Sequence, residues 1–492
     1  MTMFRTITRL VGVASVSVSG LAAAAVAAED EGVSPETRTS IEALQALQGD
    51  LADLRAQNAA LETRLDAEDD AWLTETRTAE IRGIVQDVLA DSQNRTSLQD
   101  SGAVAGYKPG KGFMLASQDG SFSMRISGQI QTRWVMSHVG DDPALNGGNQ
   151  YQWGFQIRRA KVKFKGNVID KTWRYQVNGA FGSSGTFAFE EVMLTHDVND
   201  NLSVTIGQYK APFTREELVS SSRQLAVERS LVNEYFNADR GLGLDVMYKT
   251  DDWSLEGAFN NGVKTAYTGS AGRYTSSANN PTKWAVQGRF QYKVSGEWGD
   301  FKSFNSSLDD ENALMIGVAG MAQQYNGTLG GNQGADAFVA DHSGVWGVTA
   351  DVSAKFASFS LFGAVVYQRI STEFSTGATN TVNPWGFVGQ AGYSLTDQWE
   401  VFGRFSWANN RGLAQLNSLP NTIESPDGDA KLALLTLGVN YFINDNVKFT
   451  ADWGINMNNS LNGTWVSQTS NGWRATNTSS EWVLRGQLQL LF

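Results

Sequence analysis

Sixteen times after Lys111 the chain repeats one texture, a run in which apolar and polar residues alternate with period two until Gly, Asn, Asp or Ser breaks it. Alternation of that period sends successive side chains to opposite faces of a β-strand. SMRISGQIQTRWVMS sets Met124, Ile126, Ile130 and Trp134 against Arg125, Gln129, Gln131 and Arg133, and KWAVQGRFQYKV sets Trp284, Val286, Phe290 and Tyr292 against Gln287, Arg289, Gln291 and Lys293. The closing EWVLRGQLQLLF puts Trp482, Leu484, Gly486, Leu488, Leu490 and Phe492 opposite Val483, Arg485, Gln487, Gln489 and Leu491. The runs lie near 123–136, 152–169, 172–182, 186–197, 201–210, 240–250, 252–261, 283–295, 312–325, 344–356, 358–370, 384–395, 398–409, 430–443, 446–458 and 480–492. An even number of antiparallel strands closes a barrel with both chain ends on one side, and the last run must then pair with the first to leave no open edge.

Such a barrel has two ways to face. In a soluble barrel the apolar faces point inward and fill a core. Sixteen strands enclose a lumen too wide for side chains to fill, so polar faces line water and apolar faces meet lipid. Trp134, Trp173, Tyr248, Trp253, Trp284, Trp399 and Trp407, placed near strand ends, fit aromatic girdles at the two membrane interfaces; ordinary core packing is the competing account. The expected fold is therefore all-β, a transmembrane antiparallel β-barrel of about sixteen strands over 112–492, preceded by a short α-helical segment.

The N-terminus agrees with export. Arg5 and Arg9 precede the small apolar stretch VGVASVSVSGLAAAAVA, which reads as a signal peptide over 1–28 with Ala25–Ala27 or Val26–Ala28 for cleavage; a short membrane anchor is the alternative. Residues 36–91 are helical in pattern. Leucines 44, 47, 51, 54, 61 and 65 occupy heptad a and d positions, interrupted by Asn58, a residue type that fixes register and oligomer number when it is buried in a coiled coil. A coiled coil joining subunits and a single helix packed on the barrel both satisfy the pattern, and the heptads do not choose dimer or trimer. A second helical stretch has Ile81, Ile84, Val85, Val88 and Leu89 at helical spacing. Residues 92–111, rich in glycine, read as a linker. Charge follows this division: residues 29–106 carry −11, residues 107–492 only −3.

The stretch GQYKAPFTREELVSSSRQLAVERSLVNEYFNADRGLGLDV at 207–246, with GFMLASQDGSFSMRISGQIQTRW at 112–134, RRAKVKFKG at 158–166 and the terminal Phe492, resembles the phosphate-selective porin O and P family. That resemblance implies an outer-membrane barrel of sixteen strands, a homotrimer, passing anions through a constricted pore, with the terminal aromatic serving assembly. Read from the residues alone, Pro212 ends a strand. TREELVSSSRQLAVERSLVNEYF then reads as a helical excursion with Thr214 as N-cap and Glu217 completing a capping box. A segment of that length near 212–239 is a candidate to fold into the lumen and narrow it.

The charges define the candidate site. With Ala160, Val162 and Phe164 outward, Arg159, Lys161, Lys163 and Lys165 stack on the inner face at about 6.6 Å intervals. Pore-wall candidates are Arg125, Arg133, Arg159, Lys161, Lys163, Lys165, Arg174, Arg289 and Arg485; constriction candidates are Lys210, Arg215, Arg223, Arg229 and Arg240. Such cations read either as a ladder handing anions from site to site or as part of a balanced, hydrated wall, since Asp245, Glu256, Glu400 and Asp452 share the inward parity. Some are expected to pair with Glu216, Glu217, Glu228 or Glu234 at helical spacing.

Other functions lack their chemistry. There is no cysteine for a thiolate nucleophile or zinc site, and His138, His196 and His342 are scattered, with no Ser-His-acid motif among them. No phosphate-cradling G-x-x-x-x-G-K-[ST] loop occurs, and the acidic balance disfavours nucleic acid. No enzymatic activity, cofactor or metal is expected. The expectation is a channel for passive diffusion of small hydrophilic solutes, with a preference for anions such as phosphate, surrounded by outer-membrane lipid with its helices in the periplasm. The alternative is a structural protein tethering the outer membrane to peptidoglycan through those helices.

Overall fold

The computed structural model describes residues 103–108, 112–140, 150–182, 185–262, 282–308, 311–326, 340–374, 379–411, 429–458, 465, 471–474 and 481–492. The expected signal peptide, the helical segment 36–91 and Asn58 lie outside them. Eighteen strands are described: β1 (Ala103–Lys108), β2 (Gly112–Ser117), β3 (Ser123–His138), β4 (Tyr151–Val168), β5 (Asp170–Phe181), β6 (Phe187–Asp197), β7 (Leu202–Lys210), β8 (Arg240–Lys249), β9 (Trp253–Asn260), β10 (Thr282–Ser295), β11 (Ala313–Asn326), β12 (Ala340–Phe356), β13 (Phe359–Phe374), β14 (Thr379–Ser394), β15 (Trp399–Arg411), β16 (Asp429–Asn444), β17 (Val447–Asn456) and β18 (Trp482–Leu491). Two short helices, α1 (Arg215–Leu218) and α2 (Leu231–Phe236), lie between β7 and β8.

Strands β3 to β18 correspond to the sixteen expected runs, and each pairs antiparallel with the next. The ring closes where β18 meets β3, in a register running from Trp482↔His138 to Leu491↔Gln129. Phe492 continues this seam by exchanging backbone hydrogen bonds with Gly128 at 2.6 and 3.1 Å. A Cβ on Gly128 would stand 2.2 Å from the Phe492 ring, so glycine here makes room for the aromatic that covers the seam.

Strands β1 and β2 were not anticipated. The stretch 92–111, read as a linker, holds β1, which forms a hairpin with β2. Since β4 occupies one edge of β3 from Ser123 to His138, the other edge is shared end to end, with β18 beside residues 129–138 and β2 beside 123–126. The hairpin thus extends the sheet below the seam.

One rim of the barrel is made of tight turns, apart from the β10–β11 connection at 296–312. Ala357 and Ser358 alone join β12 to β13, both at positive φ (38° and 73°), as the two-residue hairpin turn demands. The opposite rim carries the long connections, which marks the tight-turn rim as periplasmic. Outward positions are apolar and exposed, such as Val348, Val365, Phe290 and Leu488. Two aromatic levels bound them. Trp173 stacks on His196, Tyr248 on Trp253, and Trp399 lies against Tyr441 near the periplasmic rim; His138, Tyr151 and Trp482 cluster at the other, with Trp385 against Trp407. Trp134 was expected in a girdle but sits below it, opposite Gly486 and Phe155.

Candidate functional site

The site begins where β7 stops. Lys210 makes the last rung with Arg240, and Pro212, with no N–H to offer a ladder, follows the turn residue Ala211. The segment then folds against the inner wall and returns, its neck closed by the Ala211 N–H donating to the Asp239 carbonyl at 2.9 Å. Its apolar side is buried: Phe213, Tyr235 and Phe236 pack among inward residues of the far wall, including Val345, Ile370 and Leu432. Those strands break the rule of a polar inner face because this segment covers them.

The helical excursion is shorter than the sequence suggested. Only Arg215–Leu218 and Leu231–Phe236 are helical, and Thr214 makes no cap. Its hydroxyl donates to Asn233 Oδ1 at 2.9 Å, and Glu217 Oε2 accepts from Asn233 Nδ2 at 3.1 Å, so the supposed capping box ties the two helices together. The residue that caps is Ser230, accepting from the Asn233 N–H at 3.0 Å.

Glu228 is the charge hub. Its Oε1 accepts from Arg133 Nη1 at 2.8 Å and Arg158 Nε at 2.5 Å, and its Oε2 from Arg159 Nη2 at 2.8 Å. Burial would raise this carboxyl, but Arg159, Arg158 and Arg133 hold it well below the ordinary carboxylate range. Two consecutive arginines reach one acid because β4 bulges. The register against β3 slips between Gln131↔Arg159 and Thr132↔Ile157, leaving Arg158 as the extra residue. A matching slip of β6 against β5, between Asn178↔Glu191 and Gly179↔Phe189, leaves Glu190 as the extra residue and brings Glu190 and Glu191 inward together. Arg240 meets Glu191 at 3.0 Å and Glu190 at 3.5 Å, and Lys161 Nζ meets Glu190 at 2.6 Å.

The wall also holds the segment's backbone. Carbonyls of Ser221, Ser222, Gln224, Leu225 and Glu228 accept from Gln131, Gln489, Lys448, Asn440 and Arg404. Asp452, paired through both oxygens with Arg485 at 2.7 and 2.9 Å, accepts the Val227 N–H at 2.9 Å. From below comes a second segment the sequence reading did not foresee, the β10–β11 connection. Its Phe301 carbonyl accepts from Arg215, and its Phe304 N–H donates to the Arg223 carbonyl at 3.0 Å. Glu400 anchors it, fully buried, accepting from the Ser306 N–H at 2.6 Å, Ser306 Oγ at 2.8 Å, and the Asn305 and Asn440 amides at 2.6 and 2.8 Å.

Most of the expected cations are therefore engaged. Arg133 and Arg159 hold Glu228, Lys161 holds Glu190, Arg174 pairs with Asp197 near the periplasmic rim, Arg485 with Asp452, and Arg240 with Glu190, Glu191 and Asp239. Arg289 grips Asp351 at 2.8 Å and the Phe213 carbonyl at 2.8 Å. Lys210 donates to the Glu217 carbonyl at 2.7 Å, and Arg229 to the carbonyls of Glu216, Glu217 and Val219. Burial, reinforced by the charge of Arg289, pulls the Arg215 guanidinium down to about 10, still cationic at neutral pH. Helical spacing governs none of the described ion pairs of Glu216, Glu217 and Glu228: their partners are Arg404, Arg229 and the three wall arginines. Arg125 and Lys165 face each other across the β3–β4 ladder. Arg223 is exposed at the tip of the segment beside Ser220, Ser221 and Ser222, within electrostatic range of the half-buried Lys163.

Sequence reasoning missed Arg158, Glu190, Glu191, Arg404 and Lys448. Parity places Arg404 and Lys448 inward, beside Glu400 and Asp452, and would have found them; the bulged residues defeat parity. Among the described residues no group of three His, Asp or Glu side chains is arranged to hold a metal ion.

The chain is similar to several known proteins. Porin O of Pseudomonas aeruginosa is 23% identical over 390 residues, covering 69% of this chain and 84% of its own. The crystal structure of the outer-membrane channel DcaP of Acinetobacter baumannii superposes with a TM-score of 0.50 at 10% identity, over 78% of this chain and 100% of that one, a likeness of fold. An anion-selective porin from Comamonas acidovorans gives a TM-score of 0.48 at 13% identity, over 75% of this chain and 100% of its own. The family described as phosphate-selective porin O and P matches residues 129–489. A closed sixteen-strand barrel with two segments folded into its lumen, matched to that family over most of its length, is an outer-membrane channel, and the chain belongs to the phosphate-selective porin O and P family.

Proposed function

We propose that the protein is a trimeric porin for passive diffusion of small hydrophilic solutes, that its lumen prefers anions, phosphate among them, and that it carries out no catalysis. The observation carrying this reading is the tip of the inward segment. Glu228, Glu190, Glu191, Asp452 and Asp351 are occupied by arginine or lysine, whereas Arg223 stands exposed, next in sequence to Ser220, Ser221 and Ser222, with Lys163, which also feels Glu191, within electrostatic range. An exposed cation with a second one in range offers a passing anion charge without the depth that would trap it. Against catalysis, His138 and His196 stack in the outer aromatic girdles, away from the lumenal serines. Residues 36–91 are proposed to reach into the periplasm, because β1 joins the sheet at the periplasmic rim.

Planar-bilayer recording in a salt gradient tests the reading. The expected reversal potential has anion sign, phosphate reduces chloride current, and Arg223→Ala with Lys163→Ala weakens both. A cation-sign potential, or a double variant indistinguishable from wild type, overturns it. Deleting 36–91 should leave conductance intact.

A further inference from the structure

Burial divides the inner face of the barrel in two. On β11 to β18 the inward positions away from the rims are buried, Ala364 and Gly438 excepted, and Gln368, Asn410, Asn440 and Val483 have 0% exposure. A sixteen-strand wall cannot bury its own inner face, so other parts of the chain must lie against it. Three connections supply that cover. The inward segment packs Phe213, Tyr235 and Phe236 there, and the β10–β11 connection sets Phe304 against Phe362. The β17–β18 connection brings Trp465 onto Tyr235 at 4.6 Å, and its Asn471 amide donates to Glu234 Oε2 at 3.1 Å.

Strand β4 is covered differently. Arg159, Lys161 and Lys163 are half-buried and Lys165 is exposed; beside them Ser127 on β3 and Gln176 on β5 are also half-buried. Ser127 stands opposite Lys163, and Gln176 opposite Lys165. Contacts of the inward segment bound this strip. Its tip touches β3 one pleat higher, where Ser221 Oγ donates to Gln129 Oε1 at 3.2 Å and Gln131 Nε2 donates to the Ser221 carbonyl at 3.3 Å. Above, Glu228 holds Arg159, and beside the neck Arg240 reaches Glu191 on β6 at 3.0 Å. Arg223 is exposed within these limits, in electrostatic range of Lys163.

A solute needs a path that side chains leave open to water. We infer that solutes cross along β4, in a crescent between that strand and the tip of the inward segment, that the β11–β18 half of the lumen carries none of the flow, and that Ser127 is a further specificity-determining residue. The inference rests on the diffusion reading above and gives it a route. Ser127 has no hydrogen-bond partner among the described residues, and the ladder sets it level with Lys163. Its hydroxyl thus adds one hydrogen bond where a passing anion already meets positive charge, a site weak enough to release it.

The chain has no cysteine, so single introduced cysteines report their own access to solvent. Ser127→Cys, Ser353→Cys and Ser406→Cys each exchange one small inward side chain for another, and Ser353 and Ser406 are 6% and 2% exposed. Each full-length variant is treated in planar bilayers with a sulfonate-bearing methanethiosulfonate, and labelling is read by mass. Ser127→Cys is expected to be labelled, to lose current and to shift its reversal potential toward cations; an ammonium-bearing reagent is expected to shift it the other way. Gln176→Cys serves as a second variant with the same expectation. Ser353→Cys and Ser406→Cys are expected to stay unlabelled, with unchanged current. Wild-type protein that passes no current overturns the diffusion reading and this inference with it. Wild-type current with Ser127→Cys and Gln176→Cys unlabelled, or labelled without effect, overturns the route alone, as does loss of current on labelling Ser353→Cys or Ser406→Cys.

Discussion

Replacing Glu228 by Gln tests how the inward segment is held. The amide preserves shape and one acceptor but removes the charge that three arginines share, and it turns an NH2 group toward one of them. Arg133 loses most, since its side chain has no solvent exposure, whereas Arg158 and Arg159 are 20% and 11% exposed and recover hydration. Removing one partner of a buried pair costs about 3–5 kcal/mol, and partial rehydration places this case near the lower bound. At about 1.4 kcal/mol per tenfold, local opening should rise about 100-fold. The expected results are faster amide exchange over 219–230, larger single-channel conductance, and a reversal potential shifted further toward anion selectivity as the guanidiniums are freed. Combining the change with Arg133→Met should recover part of the loss, because the orphaned cation goes with its partner. Unaltered exchange over 219–230 would refute the reasoning. The pH dependence has a definite sign: an acid held below its ordinary value of 4.5 stabilises fully above that value and loses its contribution as pH falls through the folded value. The Glu228 contribution to the hold is therefore expected to be constant above about pH 5 and to be lost only in stronger acid, read as amide exchange over 219–230 against pH.

Three further changes probe other parts. Glu400→Ala strips the acceptor from the Ser306 N–H, the Ser306 hydroxyl and two amides, and should loosen the lower segment by about 2–4 kcal/mol, seen as faster tryptic cleavage after Lys302; equal cleavage would count against the anchor. Gly128→Leu drives a side chain into the Phe492 ring at the seam, so the barrel should unfold in hot detergent at a lower temperature, with about 1–3 kcal/mol of overpacking; an unchanged transition would show the ring is free to move. Ala357→Asn with Ser358→Gly relieves two left-handed residues in a two-residue hairpin and should stabilise by about 1–2 kcal/mol, read as slower unfolding in guanidinium; no gain would mean the turn is unstrained.

How much of this was legible follows from what each signal reports. Period-two alternation depends only on two sides differing in solvent, and both the sixteen strands and the β18–β3 seam followed from it. Parity also placed Arg133, Arg289 and Arg485 inside. It failed at Arg158 and Glu190, where one extra residue shifts the phase within a strand, and no local residue preference announces a bulge between two charged neighbours. It was also silent where alternation fades. In β13, Phe362, Val366 and Ile370 are apolar inward residues opposite apolar outward ones, and they are the wall that the inward segment covers. A strand apolar on both faces within an otherwise alternating barrel is thus a readable mark of lumenal cover. The β1–β2 hairpin was hidden for another reason: glycines at 102, 106, 110 and 112 outweighed a short strand whose pairing is set by the free lower edge of β3.

The field inside the lumen depends on what each cation grips rather than on how many there are. Arg133, Arg159, Arg240 and Arg485 are offset by carboxylates, Arg229 meets Glu217 as well as carbonyl oxygens, and Lys210 and Lys448 grip carbonyl oxygens. Those grips orient the segment as well. Seven wall side chains, Gln131, Gln489, Lys448, Asn440, Arg404, Arg289 and Gln368, donate to its carbonyls. Each grip fixes one peptide of the segment against the wall, and Arg223 stands exposed between the held carbonyls of Ser222 and Gln224. On the anion preference proposed above, freeing the three arginines by Glu228→Gln and removing the Arg223 charge should move the reversal potential in opposite directions.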